Sequence, residues 1–116
     1  MRFNRLNQKV IKWAKDKGIF VKATPYTQHS KTLEEVQELS DALTAQEAGE
    51  SEFIDNDGNL KNTEFEIKDA IGDILVTLII QCEMQGITIE ESLLSAYNVI
   101  SKRTGKMVDG VFVKDK

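Results

Sequence analysis

Only one cysteine, Cys82, occurs in the 116 residues. It has no intramolecular disulfide partner, which suits a reducing compartment, and the expectation is a cytoplasmic protein. No window approaches the ~18 apolar residues that a membrane span requires. The opening MRFNRLNQKVIKW is too polar for the core of a signal peptide. There is one histidine beside the one cysteine, so no His/Cys cluster exists to hold zinc. Basic residues are scattered without a stripe and the net charge is −4, so duplex nucleic acid is not an expected partner. Internal repeats and low-complexity segments are also missing.

What remains is ordinary for a globular protein: 41% hydrophobic and 29% charged residues, in a length that suits one domain over residues 1–116. Four helical patterns stand out. Phe3, Leu6, Val10, Ile11 and Trp13/Ala14 recur at helical spacing, with Gly18 as a stop. The segment FVKATPYTQHS follows, and its Pro25, the only proline, marks a break. A second helix is expected over KTLEEVQELSDALTAQEAG, with Leu33, Val36, Leu39 and Leu43 as its apolar stripe. Ser30 or Thr32 would cap its start and Gly49 its end. ESEFIDNDGNLKN is polar and turn-rich, and reads as a loop. The third helix runs from about Thr63 to Gln85 and stops at Gly86. The fourth follows Thr88, a capping residue with Glu91 three positions on, and carries Leu93, Leu94, Ala96, Tyr97 and Ile100. In KMVDGVFVK, Asp109-Gly110 between apolar arms signals a type I′ hairpin. The expected fold is all-α: an antiparallel, four-helix-bundle-like arrangement with a small C-terminal β-hairpin.

The third helix carries DAIGDILVTLII, Asp69 to Ile80. On a helical wheel Glu66, Ala70, Asp73 and Thr77 share a face, with Asp69 at its edge, and Ile67, Ile71, Ile74, Leu75, Leu78 and Cys82 lie opposite. From Ile74 onward the apolar residues close the circle, the pattern of a buried or inter-subunit helix. Asp73 therefore stands where an acidic face enters the core, and an unpaired charge there is costly. The second helix offers a matching set in Glu34, Glu35, Glu38 and Asp41. If the two helices pack face to face, a divalent cation resolves the repulsion, because carboxylate oxygens are hard ligands. The plain alternative is a solvated acidic face, and it suffices for Glu34, Glu47, Glu50, Glu90 and Glu91. Trp13, Phe20 and Tyr26 read either as core or as a platform for a flat ligand. Cys82 reads as core filler.

Lys31-Thr-Leu-Glu34-Glu35-Val-Gln-Glu38-Leu39, followed by Asp69-Ala-Ile-Gly72-Asp73-Ile-Leu75, resembles the MazG-like nucleotide pyrophosphohydrolases, above all their short phage and bacterial members. These belong to the all-α NTP pyrophosphatase superfamily. Tyr97-Asn98 followed by Lys102-Arg103 is similar to the family's downstream element, and the similarity spans roughly residues 28 to 103. It implies hydrolysis of a nucleoside triphosphate to a monophosphate and pyrophosphate, with Mg²⁺ (Mn²⁺ as the alternative) as cofactor, in a homodimer or homotetramer. By this resemblance Glu35, Glu38, Asp69 and Asp73 are the metal ligands, and Glu35 or Glu38 is the catalytic proton acceptor. Lys31, Asn98, Lys102 and Arg103 are then the substrate-binding residues. The family's glutamate three places before the aspartate is Ala70 here, so Asp69, or else Glu66, must replace it.

Two other readings compete. A non-catalytic helical dimer that binds a partner protein would explain Ala70. A calcium loop would use DNDGNLKNTEFE, which has Asp55, Asp57, Asn59 and Glu66 at EF-hand positions one, three, five and twelve but Leu60 where the turn needs glycine.

Overall fold

A computed structural model describes all 116 residues. Helix α1 covers Phe3–Asp16, a single turn α2 covers Ile19–Lys22, and α3 spans Pro25–Glu47. A short hairpin of β1 (Glu52–Ile54) and β2 (Leu60–Asn62) leads into α4 (Thr63–Met84). Then come α5 (Ile89–Ile100) and a second hairpin, β3 (Gly105–Val108) with β4 (Val111–Lys114). The chain forms two compact units, residues 1–86 and 87–116. The mostly helical architecture with a C-terminal antiparallel hairpin agrees with the fold class expected from sequence.

Helix α3 starts six residues earlier than the sequence suggested. Pro25 does not break a helix but opens one: at the first helical position its missing N–H is no loss and its fixed φ is already helical. Thr24 is the cap. Its Oγ1 accepts from the Thr27 N–H at 3.2 Å, and Thr27 Oγ1 accepts from the Thr24 N–H at 2.9 Å. Ser30 and Thr32 are thus interior helix residues rather than caps. At the other end Gly49 takes φ 74°, which lets the Glu50 N–H reach back to the Ala45 carbonyl.

The segment read as a loop is the β1–β2 hairpin, paired Glu52 with Asn62, Phe53 with Lys61 and Ile54 with Leu60. Its turn is organised by Asp55, whose Oδ1 accepts from the Asp57 and Asn59 N–H groups, each at 2.9 Å. Asn62 ends β2 and caps α4 by accepting from the Phe65 N–H at 2.9 Å, so hairpin and helix join without a linker.

In the first unit α3 and α4 are the central pair, and α1 packs on α4. Helices α3 and α4 pack antiparallel; α3 buries Gln28, Glu35, Ala42 and Ala45, all small or polar, and α4 buries Ala70 and Thr77 with the larger Ile79 and Ile80, among others. Small residues let two helices approach closely, and polar links then fix their register. Thr32 Oγ1 donates to Thr77 Oγ1 at 2.9 Å, Gln28 Nε2 to the Thr77 carbonyl at 3.3 Å, and Gln81 Nε2 to the Pro25 carbonyl at 2.8 Å. Of the apolar stripe expected to face inward, Leu33, Val36, Leu39 and Leu43, only Leu39 is half-buried; the other three are exposed.

In the second unit, Thr88 caps α5 in a reciprocal box with Glu91, as the sequence indicated. Asp109 and Gly110 turn the hairpin with φ 50° and 81°, the type I′ signature. A side chain at Gly105 would run into the Val113 carbonyl and the Phe112 ring, so the first strand position needs glycine for close approach.

Thr24→Ala should lower unfolding stability by about 1 kcal/mol in urea denaturation, the usual cost of a lost cap. A neutral result would mean that α3 begins further along the chain.

Candidate metal centre

Helices α3 and α4 bring three of the expected carboxylates together. One oxygen each from Glu35, Glu38 and Asp73 lie within 4.8 Å of one another. Glu35 is buried, Asp73 half-buried and Glu38 exposed. The antiparallel register accounts for the meeting. Thr32 is bonded to Thr77; about one and two turns further along α3 stand Glu35 and Glu38, and one turn back along α4 stands Asp73, so the three converge.

Glu35 anchors the group. Lys31, one turn earlier, lies 3.3 Å from Glu35 Oε1 and 3.5 Å from Glu34 Oε2. Desolvation pulls Lys31 toward the neutral form, but hydrogen bonding and charge from Glu35, with help from Glu34, outweigh it and raise its pKa. The other oxygen, Glu35 Oε2, is buried with no hydrogen-bond partner. A buried anionic oxygen left unsatisfied is unfavourable, so this atom marks where a cation or a proton belongs. A hydrogen bond with the Glu35 carboxyl, desolvation and the Glu35 charge push Glu38 up to about 7. Such a bond needs one proton between the two groups: ionised, they repel; with Glu38 protonated, they bond. Desolvation first, then the charges of Asp69, Glu35 and Glu66, raise Asp73 as well.

Asp69 is exposed and stands outside the three-carboxylate group. It lines, with Glu38 and Glu66, a cavity of about 440 Å³ that is closed on one side by the β1–β2 hairpin. Glu66 faces Lys61 at 3.8 Å, as does Asp55. Ala70 is buried at 2% exposure and offers no ligand. Asn98 lies on α5, with Lys102 and Arg103 just beyond it, all in the second unit. The sequence reading missed Lys61, because a lysine in a segment taken for loop carries no positional signal. The calcium loop is not formed: Asp55 Oδ1 is engaged by backbone N–H groups of its own turn, which lower its pKa, and its Oδ2 faces Lys61.

The donor set is all hard oxygen, with one buried oxygen lacking a partner, and it fits a hard divalent cation. Fold and site together define a helical protein with a carboxylate centre between two antiparallel helices. Residues 23–108 match the MazG nucleotide pyrophosphohydrolase domain, and the chain belongs to that family. Comparison with curated proteins and with solved structures finds no match.

The raised acids have a consequence for the metal-free protein. Glu38 titrates near 7 when folded and at its ordinary 4.5 when unfolded. The folded state therefore binds more protons between these values, and its stability falls as pH rises through that window. The direction for Asp73 adds to the effect. Thermal melts in chelator at pH 5 and pH 8 should show the lower midpoint at pH 8. Glu38→Gln should flatten the difference, as should Mg²⁺ added at pH 8.

Proposed function

We propose that the protein is a metal-dependent nucleoside triphosphate pyrophosphohydrolase, releasing a nucleoside monophosphate and pyrophosphate. The observation that carries this reading is the convergence of Glu35, Glu38 and Asp73, with one Glu35 oxygen, Oε2, buried and without a hydrogen-bond partner, in a chain of the MazG family. A triphosphate bears roughly four negative charges, and an acidic pocket alone would repel it. Glu35, Glu38 and Asp73 would hold Mg²⁺ or Mn²⁺, with Asp69 as the further ligand in place of the glutamate missing at Ala70. When bound, the ion supplies charge neutralisation and a grip on phosphate oxygens. Asp69 is preferred over Glu66 because it makes no salt bridge, whereas Glu66 faces Lys61.

Within this site the side chains divide the work. Glu35 is fixed by Lys31 and orients the group. Glu38 makes no salt bridge and is exposed, so it is the better placed of the two glutamates to take a proton from the attacking water. Lys31 is the proposed phosphate contact of this site, and Asn98, Lys102 and Arg103 are proposed as substrate-binding residues on the family resemblance alone. The family match runs through both units, in keeping with one functional domain over 1–116.

A homo-oligomer belongs to the same proposal. No residue of α5 is buried, and every residue of the C-terminal hairpin is exposed. Leu93, Leu94, Tyr97, Ile100 and Phe112 all face solvent, and a two-stranded hairpin is marginal alone in water. A second copy of the chain would cover these groups, in a homodimer or homotetramer. No single helix is long and apolar enough to cross a membrane, and the chain has a single cysteine; a cytoplasmic location is proposed on the cysteine usage.

Pyrophosphate release should be measured across ribo- and deoxyribonucleoside triphosphates with Mg²⁺ and Mn²⁺. Asp73→Asn and Glu38→Gln should each lower kcat at least about 100-fold with circular dichroism unchanged. A folded wild-type protein inert toward every triphosphate would overturn the enzyme reading and favour a partner-binding module. Light scattering should give a mass of two or four chains; a monomer at micromolar concentration would refute the assembly.

A further inference from the structure

Positive charge is concentrated in one segment of the chain. Residues 1–22 hold seven of the 15 basic residues against a single acid, Asp16, a net of +6. Over the rest of the chain the remaining eight basic residues face 18 acids, a net of −10. The total of −4 conceals this split, so the basic residues look scattered when the chain is read whole. The family match begins at residue 23, after this segment.

Helix α1 carries most of the charge, and its sides differ. It packs on α4, and Asn7, Val10, Ile11 and Ala14 are its half-buried and buried residues. Leu6 and Trp13 are exposed at 46% and 50%. At about 100° per residue these two share one flank, and Lys9, Arg5 and Lys12 follow next around the helix. All three cations are exposed. Asp16 falls among them and is neutralised by Lys12 at 2.7 Å. Arg5 and Lys9 make no salt bridge, nor do Lys15 and Lys17. Asp73 lines a cavity between α1 and α4 with Leu6, Lys9 and Trp13, but it is half-buried, and the exposed charge of the flank is positive.

We infer that this flank of α1 docks on an anionic lipid bilayer. The helix lies in the plane of the surface, with Leu6 and Trp13 at the boundary of headgroups and acyl chains and Arg5, Lys9 and Lys12 on the anionic headgroups. An apolar strip bordered by cations is the pattern of an interfacial helix. Lysine and arginine stems lie along apolar surface while their charges stay in the polar layer, and an indole favours that layer. A nucleic acid would engage the cations and stack on Trp13, but it would leave Leu6 and the exposed Phe3 idle. A bilayer uses both kinds of residue.

Cosedimentation with vesicles tests the docking. The protein should pellet with phosphatidylcholine vesicles containing about one third phosphatidylserine, and should stay in solution with phosphatidylcholine alone. Affinity should fall at least tenfold between about 0.05 and 0.5 M NaCl, because the attraction is screened. Emission of Trp13, the only tryptophan, should shift to the blue with the anionic vesicles. The double variant Arg5→Gln, Lys12→Gln should bind them about tenfold more weakly, with circular dichroism unchanged. Its pyrophosphate release in solution should equal the wild type's, so the docking and the enzyme reading fail separately. Leu6→Ser should weaken binding and leave the salt dependence intact. Wild-type protein that ignores anionic vesicles, or binds neutral ones equally well, would overturn the proposal. So would a double variant that keeps full vesicle affinity. If vesicles are not bound, salt-sensitive binding of a single-stranded oligonucleotide would give the flank to a nucleic acid, and a lower mass for the double variant in light scattering would give it to a second copy of the chain.

Discussion

The structure depends on a repulsion: three carboxylates from two antiparallel helices are held within 4.8 Å of one another at the margin of the interior. Left ionised and alone, such a group would push the helices apart. Lys31 neutralises part of it from one side, reaching Glu35 across one helical turn. A proton near neutral pH, or a hard cation, must supply the rest. The arrangement therefore stores a demand for positive charge, and that demand is the chemical content of the site.

The remainder of the first unit holds the demand in place. A seam of alanines would slide, because small apolar surfaces specify register weakly. The links from Thr32 to Thr77, Gln28 to Thr77 and Gln81 to Pro25 are directional, and each sits in or beside that seam. They fall in the first two turns of α3, the part that the Pro25 start adds or completes. Gln28 and Pro25 lie before Lys31, where the sequence placed the helix start, so two of these three links depend on the earlier start.

Much of the site was legible in the sequence because charges are rarely placed where a helix turns apolar all round. Asp73 stood out on its wheel for that reason, and Glu35 and Glu38 by their spacing. What misled was the apolar stripe of α3. Leu33, Val36 and Leu43 are the residues a sequence assigns to a core, yet the seam is filled by Gln28, Glu35, Ala42 and Ala45. A helical wheel reports which face is oily but not whether that face meets its own chain. The β1–β2 hairpin escaped for another reason: strands of three residues carry no readable alternation, and Asp55 to Gly58 scan as loop whether or not they turn a hairpin. Pro25 reads as a break in sequence because a proline after a non-helical stretch and a proline at the first position of a helix look alike without the capping partner, Thr24.

Ala70 bears on how complete the site is. Ala70 is buried and offers no oxygen, so under the proposed function a replacement must come from Asp69, one position earlier and exposed, or from Glu66, one turn earlier. For a metal that demands an all-protein cage this would be a serious defect. Mg²⁺ makes no such demand: it is usually held by one or two carboxylates and completes its shell with water and phosphate oxygens. Three converging carboxylates already exceed that need. Under the proposed function the departure at Ala70 accordingly bears on how tightly the free protein would grip the ion, and far less on whether ion and triphosphate could be held together.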